Sequence, residues 1–386
     1  MNDGPRLLFV VTEDWYFHLH WLPLAQAARE CGYVVGVAMR VNEHRADIEA
    51  CGCEAIPLQR MRRRSVNPVR EVAAVVELLR VYRHWRPDIV HQVAMKPVLY
   101  GSLAARLARV RVIVNALPGL GFVYSSRSWL ARALRPAVNA VLPLALGLKG
   151  AVAIVQNDDD ARVLSDIGLR DKTLVRVIRG SGVDLQRFRP QVGTESVPPI
   201  VMLASRMLWD KGIREFVEAA ERLRDSSVVA RFVLVGGRDE ENPTSVPEDV
   251  LTAWHRGGAV EWWGQRADMP EVLAQATIVC LPSYREGLPT ALVEAAACGK
   301  PLVATDVPGC RDVVQPGVNG LLVRSHDGAA LAQALQTLLM DPGLRSRMGQ
   351  KAREIAAARY SLATVKAATL GLYRDLVRTS TVARQD

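Results

Sequence analysis

Two glutamates, Glu286 and Glu294, have the types and spacing to do chemistry. They stand in PSYREGLPTALVEAAACGKPLVATDVPG, residues 282–309. The apolar run TIVCLPS (277–283) reads as a buried strand leading into Glu286, and TALVEAAA as a helix closed by Gly299 and Pro301. Glu286 is therefore expected on a loop at a strand end, and Glu294 in the helix that follows. Open α/β sheets bind ligands at that edge. Gly287 lets the backbone approach a ligand closely, and a helix starting near Thr290 aims unpaired N–H groups and its positive end there, which suits a phosphate. Carboxylates beside a phosphate site can accept hydrogen bonds from sugar hydroxyls. The set fits a nucleotide-sugar pocket.

Arg206 and Lys211 follow a second apolar run, IVMLAS (200–205). A nucleoside diphosphate is polyanionic, and two cations at a sheet edge can bind it and stabilise it as a leaving group. Taken alone, they read equally well as two solvated surface charges. His91 stands at the end of DIVHQ (88–92), with Lys96 close behind. A neutral imidazole there polarises a hydroxyl or shields developing positive charge, although a lone histidine at a strand end is more often structural.

The surrounding sequence supplies the elements that must position these groups. LLFVVT (7–12), YVVGVAMR (33–40), DIVHQ, RVIVNAL (111–117) and GAVAIVQ (150–156) read as strands. Helical spacing separates them in 22–32, 67–85 and 97–110. RPQVGTESVPP (189–199) is the best linker. Beyond it, IVMLAS, RFVLVGG (231–237), GAVEWWG (258–264), TIVCLPS and PLVAT (301–305) alternate with helices, and three helical segments close the chain. Such alternation implies parallel sheets covered by helices, in two α/β units. The expected domains are 1–190 and 191–360, with a C-terminal helix in 361–386.

The spacing Glu-x7-Glu, together with VTEDWYFHLHWLPLA, SGVDLQRF (181–188) and ASRMLWDKGI (204–213), resembles glycosyltransferase family 4 along nearly the whole chain. The resemblance implies a retaining transferase of GT-B fold, with two Rossmann-like parallel-sheet domains facing across a cleft and the last helix crossing back to the first. It implies that Arg206 and Lys211 hold the donor diphosphate and that Glu294 takes the ribose hydroxyls. Glu286 would contact the transferred sugar, with the backbone of Gly287 and Leu288 reaching sugar or phosphate. His91 resembles the family's cleft histidine, so His91 and Glu286 are the expected catalytic pair, and Lys96 a phosphate contact. The loop 12–21 departs from the family's glycine-rich version: Asp14, His18 and His20 suit acceptor recognition instead. His18 and His20 invite a metal reading, but no third ligand is spaced to join them. Asp158, Asp159 and Asp160 read, with Asn157, as helix caps. No metal and no cofactor are expected, since the cations and helix dipoles serve the diphosphate.

The 386 residues carry a net charge of +9. Residues 1–190 hold 27 Lys+Arg and 17 Asp+Glu, a balance of +10, whereas the remainder holds 22 and 23. Only the first half has an electrostatic reason to seek an anionic surface. Within it, 122–149 combines apolar bulk with Arg127, Trp129, Arg132 and Arg135, downstream of Arg62-Arg63-Arg64. That segment either lies at a membrane interface or simply buries its apolar side. GLGFVYSS also resembles a subgroup extending polyprenyl-diphosphate-linked sugars for bacterial surface polysaccharides such as O-antigen. The partners so implied are a nucleotide sugar, expected to be UDP-linked, a lipid-linked saccharide and the inner membrane surface. The setting is cytoplasmic and peripheral, for no signal peptide or spanning segment is visible and the six cysteines form no C-x2-C pair. A soluble acceptor remains the alternative. A nicotinamide enzyme would need G-x-G-x-x-G after the first strand, where EDWYFHLH stands. A nucleic-acid binder would need aromatic groups interleaved with its basic ones, so no nucleic acid is expected.

Overall fold

The computed structural model describes residues 4–382, apart from 64–66, 121, 126–128, 170, 192, 194–195 and 241. The chain divides into two compact units, Met1–Gly182 with Ala363–Asp386, and Val183–Leu362. The division falls ahead of the proline-bearing stretch 189–199, because Val183 and Phe188 already pack in the second core.

The first unit holds β1 (Arg6–Glu13), β2 (Val34–Arg40), β3 (Glu54–Pro57), β4 (Ile89–Val93), β5 (Val112–Leu117), β6 (Ala151–Val155) and β7 (Val175–Val177). They form one parallel sheet in the order β3-β2-β1-β4-β5-β6-β7. The second unit holds β8 (Ile200–Ala204), β9 (Arg231–Val235), β10 (Glu261–Trp262), β11 (Ile278–Leu281), β12 (Leu302–Thr305) and β13 (Gly320–Val323). Its parallel order is β10-β9-β8-β11-β12-β13. Central strands such as β5, β8 and β11 are buried at every residue, as strands covered by helices on both faces must be.

Each sheet reverses its strand order once, between β1 and β4 in the first and between β8 and β11 in the second. Connections leave such a pair toward opposite faces, so a crevice opens at the carboxyl ends of the two strands. In the second unit, the loop after β8 carries Arg206 and Lys211 and the loop after β11 carries Glu286. In the first, the stretch expected as a loop is a helix, Asp14–His20, that follows β1 directly and carries Asp14, His18 and His20, and Lys96 stands in the first turn of the helix Met95–Ala108 after β4.

Local rules set the helices that flank these loops. Asn67 accepts hydrogen bonds from Val69 N and Arg70 N, and Pro68 opens the helix Pro68–Trp85. Asn157 caps the helix Asp158–Asp166 by accepting from Asp160 N at 2.7 Å, which accounts for the acidic triplet as first-turn residues. The helix Ile213–Asp225 buries Ile213, Phe216, Val217, Ala220 and Leu223 at helical spacing. Shortening Ile213, Phe216 or Leu223 to alanine would cost about 2–5 kcal/mol. The closing helix, Leu362–Val382, puts Leu372 and Tyr373 into the first unit's core.

Candidate active site

The second unit assembles a charged cluster where its strand order reverses. After β8 the chain makes a short turn, Trp209–Lys211, ended by Gly212 at φ +72°. A Cβ there would fall on the Pro282 carbonyl at the end of β11, so a side chain is excluded both by conformation and by space. Tyr284 N donates to Asp210 O at 2.9 Å, tying the two loops together. From this turn Lys211 Nζ reaches Glu286 Oε1 at 2.6 Å, both side chains largely buried. The Ser283 hydroxyl donates to the same oxygen at 2.7 Å. Glu286 is held from behind as well: its N–H donates to Pro308 O, and a Cβ on Gly309 would come within 2.6 Å of Gly287 O. Gly287 and Leu288 complete the turn, and Leu288 packs partly on the core.

Arg206 is half-exposed, its Nη1 2.6 Å from Asp239 Oδ2. Asp239 lies in the polar loop after β9, which pairs along the Arg206 loop: Met207 N donates to Gly237 O, Val246 N to Met207 O and Trp209 N to Thr244 O. Glu294 sits half-buried in the helix Thr290–Ala297. Burial pushes its carboxyl up to about 7, against the opposing pull of the Arg187 charge. Arg353 donates to the carbonyls of Leu185, Phe188 and Ala297, and so fixes the segment bearing Arg187 against the end of that helix. The Tyr284 hydroxyl donates to the buried Glu215 at 2.9 Å, and burial with that carboxylate raises its pKa so that it remains a donor. Asp239, Ser283, Tyr284 and Arg353 were missed in the sequence. Position at a strand's carboxyl end could have flagged Asp239 and Ser283; Arg353 carries no such signal.

The first unit corrects two expectations and shows the partners of a third residue. His91 does not end its strand. It is the third residue of β4 and fully buried, stacked on Phe9 at 5.1 Å and edge-on to Trp21 at 4.9 Å. Its Nδ1 hydrogen-bonds the Tyr373 hydroxyl from the closing helix, and burial lowers its pKa to about 3, so it is neutral. It has no exposed surface to offer a substrate. Asp14 is also fully buried. Its carboxylate accepts from Asn42 N, Glu43 N and His44 N at 2.6, 2.9 and 3.1 Å. Burial works to raise its pKa, but these donors, with the Asn42 amide and Trp15 N, outweigh it and hold the carboxyl below the usual range. Asp14 is spent on shaping the 42–44 loop, not on recognition. Lys96 pairs with Glu71 at 3.1 Å and donates to Arg62 O at 2.9 Å, so a phosphate there would have to displace that carboxylate.

The remaining residues of that side are better placed. His20 lines a small concavity with Trp21, Gln156, Ser181, Lys366 and Thr369, its Nδ1 3.4 Å from the Ser181 hydroxyl. His18 stands half-exposed beside His44 and Asp47. Arg127 and Arg64 lie outside the described residues. Trp129 is 77% exposed at the start of the helix Trp129–Leu146, and Arg132 is exposed on it. Arg135 turns inward instead, donating to Val123 O at 2.9 Å beside Tyr124. Leu142 and Leu146 face the core, while Val141 and Leu144 face outward; Leu103 and Leu107 of the helix Met95–Ala108 are exposed as well. Among the described residues no helix is long and apolar enough to cross a membrane.

Comparison with known proteins agrees with this architecture. A family model described as "Glycosyl transferases group 1" matches residues 198–341, and one described as "Glycosyl transferase 4-like" matches residues 6–145. The chain is 30% identical to N,N'-diacetylbacillosaminyl-diphospho-undecaprenol alpha-1,3-N-acetylgalactosaminyltransferase of Campylobacter jejuni, over 87% of this chain and 89% of that protein. Among solved structures, sucrose-phosphate synthase from Thermosynechococcus elongatus superposes with TM-score 0.81 at 22% identity, covering 97% of this chain and all of the other. Anabaena HepE, in complex with UDP and glucose, gives TM-score 0.77 at 20% identity over 96% of this chain and all of its own. Such low identities speak for the fold. Two parallel sheets of this order, both family matches and the Campylobacter relative agree: the chain is a glycosyltransferase and belongs to family 4, of GT-B fold.

Proposed function

We propose that this enzyme moves a sugar from a nucleoside-diphosphate donor, UDP-linked, to a hydroxyl of a lipid-linked saccharide, with retention at the anomeric carbon. The observation that carries the donor half is the pairing of Lys211 with Glu286 across the loops where β8 and β11 part, with Arg206 on the same β8 loop. Both cations are already matched by carboxylates, Arg206 by Asp239 and Lys211 by Glu286. An arriving diphosphate exchanges those carboxylates for phosphate oxygens. Glu286, relieved of Lys211, is then available to hydroxyls of the transferred sugar, and Glu294 to the ribose. In a low-dielectric site such preorganised cations stabilise the charge that develops on the departing diphosphate. The acceptor hydroxyl attacks the anomeric carbon from the face the diphosphate leaves. The C–O bond to phosphate breaks, the new C–O bond forms, and the acceptor proton passes to a phosphate oxygen. No side-chain base and no divalent ion at the diphosphate are called on.

The acceptor half rests on the Campylobacter relative, whose printed name describes an undecaprenyl-diphosphate-linked substrate, and on the outward apolar residues Trp129, Val141 and Leu144 of the basic first unit. We place the enzyme at the inner face of the cytoplasmic membrane, in assembly of a surface polysaccharide such as O-antigen. The test is a panel of nucleotide sugars with a polyprenyl-diphosphate saccharide, the product's linkage read by NMR. The expected product keeps the donor's anomeric configuration. An inverted product overturns the mechanism, and transfer to soluble sugars alone overturns the acceptor.

A further inference from the structure

Sequence spacing offered His18 and His20 no third metal ligand. The fold supplies two, from another element. His18 lies on the helix Asp14–His20 that follows β1; His44 and Asp47 stand at the start of the helix Arg45–Ala50 that follows β2. His18 Nε2 is 3.4 Å and His44 Nδ1 3.5 Å from the same oxygen, Asp47 Oδ2. The three ligand atoms all lie within 4.8 Å of one another. Four ligands held tetrahedrally at zinc's bond lengths of about 2.0–2.2 Å stand about 3.3–3.6 Å apart. Two edges of this triangle already have that length.

We propose that His18, His44 and Asp47 bind one divalent ion of the zinc class, with a fourth position open to water. Two imidazoles and one carboxylate suit zinc and its transition-metal neighbours, whereas magnesium and calcium take oxygen ligands. The site has a fixed side and an adjustable one. Buried Asp14 grips the backbone N–H groups of Asn42, Glu43 and His44, so the loop delivering His44 is set before any ion arrives. The two imidazoles now stack, centroids 4.3 Å apart and planes 11° apart. Ring lone pairs lie in the ring planes, so binding requires one imidazole to turn out of the stack. Both side chains are about one-third exposed and have room to do so. The ion joins the helix after β1 to the helix after β2, at the carboxyl edge of the first sheet. Its ligands belong to the first unit and the proposed diphosphate cations to the second, and the inference does not depend on the donor or acceptor proposed above.

The test uses the full chain, freed of any affinity tag, stripped with EDTA and desalted. Zinc is titrated calorimetrically, and cobalt(II) is followed by its visible spectrum. The expected result is one equivalent bound per chain, with the strong absorption of four-coordinate cobalt. His18→Ala, His44→Ala and Asp47→Asn should each abolish it. A Cys31→Ser/Cys51→Ser variant, which removes the two less buried thiols, should bind as the parent does. No stoichiometric binding overturns the proposal. So does binding that survives in the three ligand variants or vanishes with the thiols.

Discussion

At the scale of single residues, the proposed donor site is a pair of pre-formed ion pairs rather than two bare cations. Removing either cation leaves a carboxylate without its cationic partner next to an arriving diphosphate. Arg206→Ala and Lys211→Ala should each lower kcat/KM by about 2–3 kcal/mol of transition-state stabilisation, or more. Near-parental kcat/KM in both would remove the donor assignment. Glu294 makes a second prediction. Its pKa in the fold, about 7, stands above the ordinary glutamate value of 4.5. A raised acid binds its proton more tightly when folded, so its contribution to stability is full below the ordinary value and is lost as pH rises through about 7. Glu294→Gln should therefore raise the Tm relative to the parent at pH 8 and leave the difference small near pH 4.5. A gap of equal size at both pH values would contradict the shift.

At the scale of elements, function depends on turns that let two loops approach. Gly212 combines a left-handed backbone with a place where any Cβ meets the Pro282 carbonyl. Gly212→Ala should lower the Tm and raise the donor KM together, because Lys211 rides on the displaced turn. A stable variant with an unchanged KM would separate the turn from the site. The edge strands show what elements need in order to be legible. β3, β7 and β13 had no counterpart in the periodicity, and β10 shrank from seven expected residues to Glu261–Trp262. All four lie at sheet edges. An edge strand pairs on one side only and stays short and half-exposed, so it needs no continuous apolar run. The central strands, covered on both faces, do need one, and all were visible.

At the scale of the molecule, the basic excess in residues 1–190 meets outward apolar side chains on the helix Trp129–Leu146. Attraction to anionic lipid is worth about 1 kcal/mol per basic residue near the surface, and screening removes it as salt rises. Co-sedimentation with liposomes should require anionic lipid, weaken with salt and fall in a Trp129→Ser/Leu144→Ser variant of unchanged Tm. Equal binding to neutral liposomes would remove the electrostatic part. Unchanged binding by the double variant would move the contact elsewhere on the unit.

Legible in the residues alone were the α/β class, the charge asymmetry and the strand-end positions of the carboxylates and cations proposed for the donor. Each is written in short-range spacing: an apolar run, then a glycine turn, then a charged residue at the strand's carboxyl end. Tertiary structure decided what those side chains face. His91 had the right type and the right strand, yet lies among Phe9, Trp21 and Tyr373, whose ring comes from the far end of the chain. Asp14 looked like a recognition group and is consumed by three backbone N–H groups of another loop. Asp239 meets Arg206, and His44 with Asp47 meets His18, only because parallel strands bring successive crossover loops to one edge. Local spacing records which face of a strand or helix is apolar. It carries no record of which distant loop arrives beside a charge, and that pairing decides whether the charge is free to do chemistry.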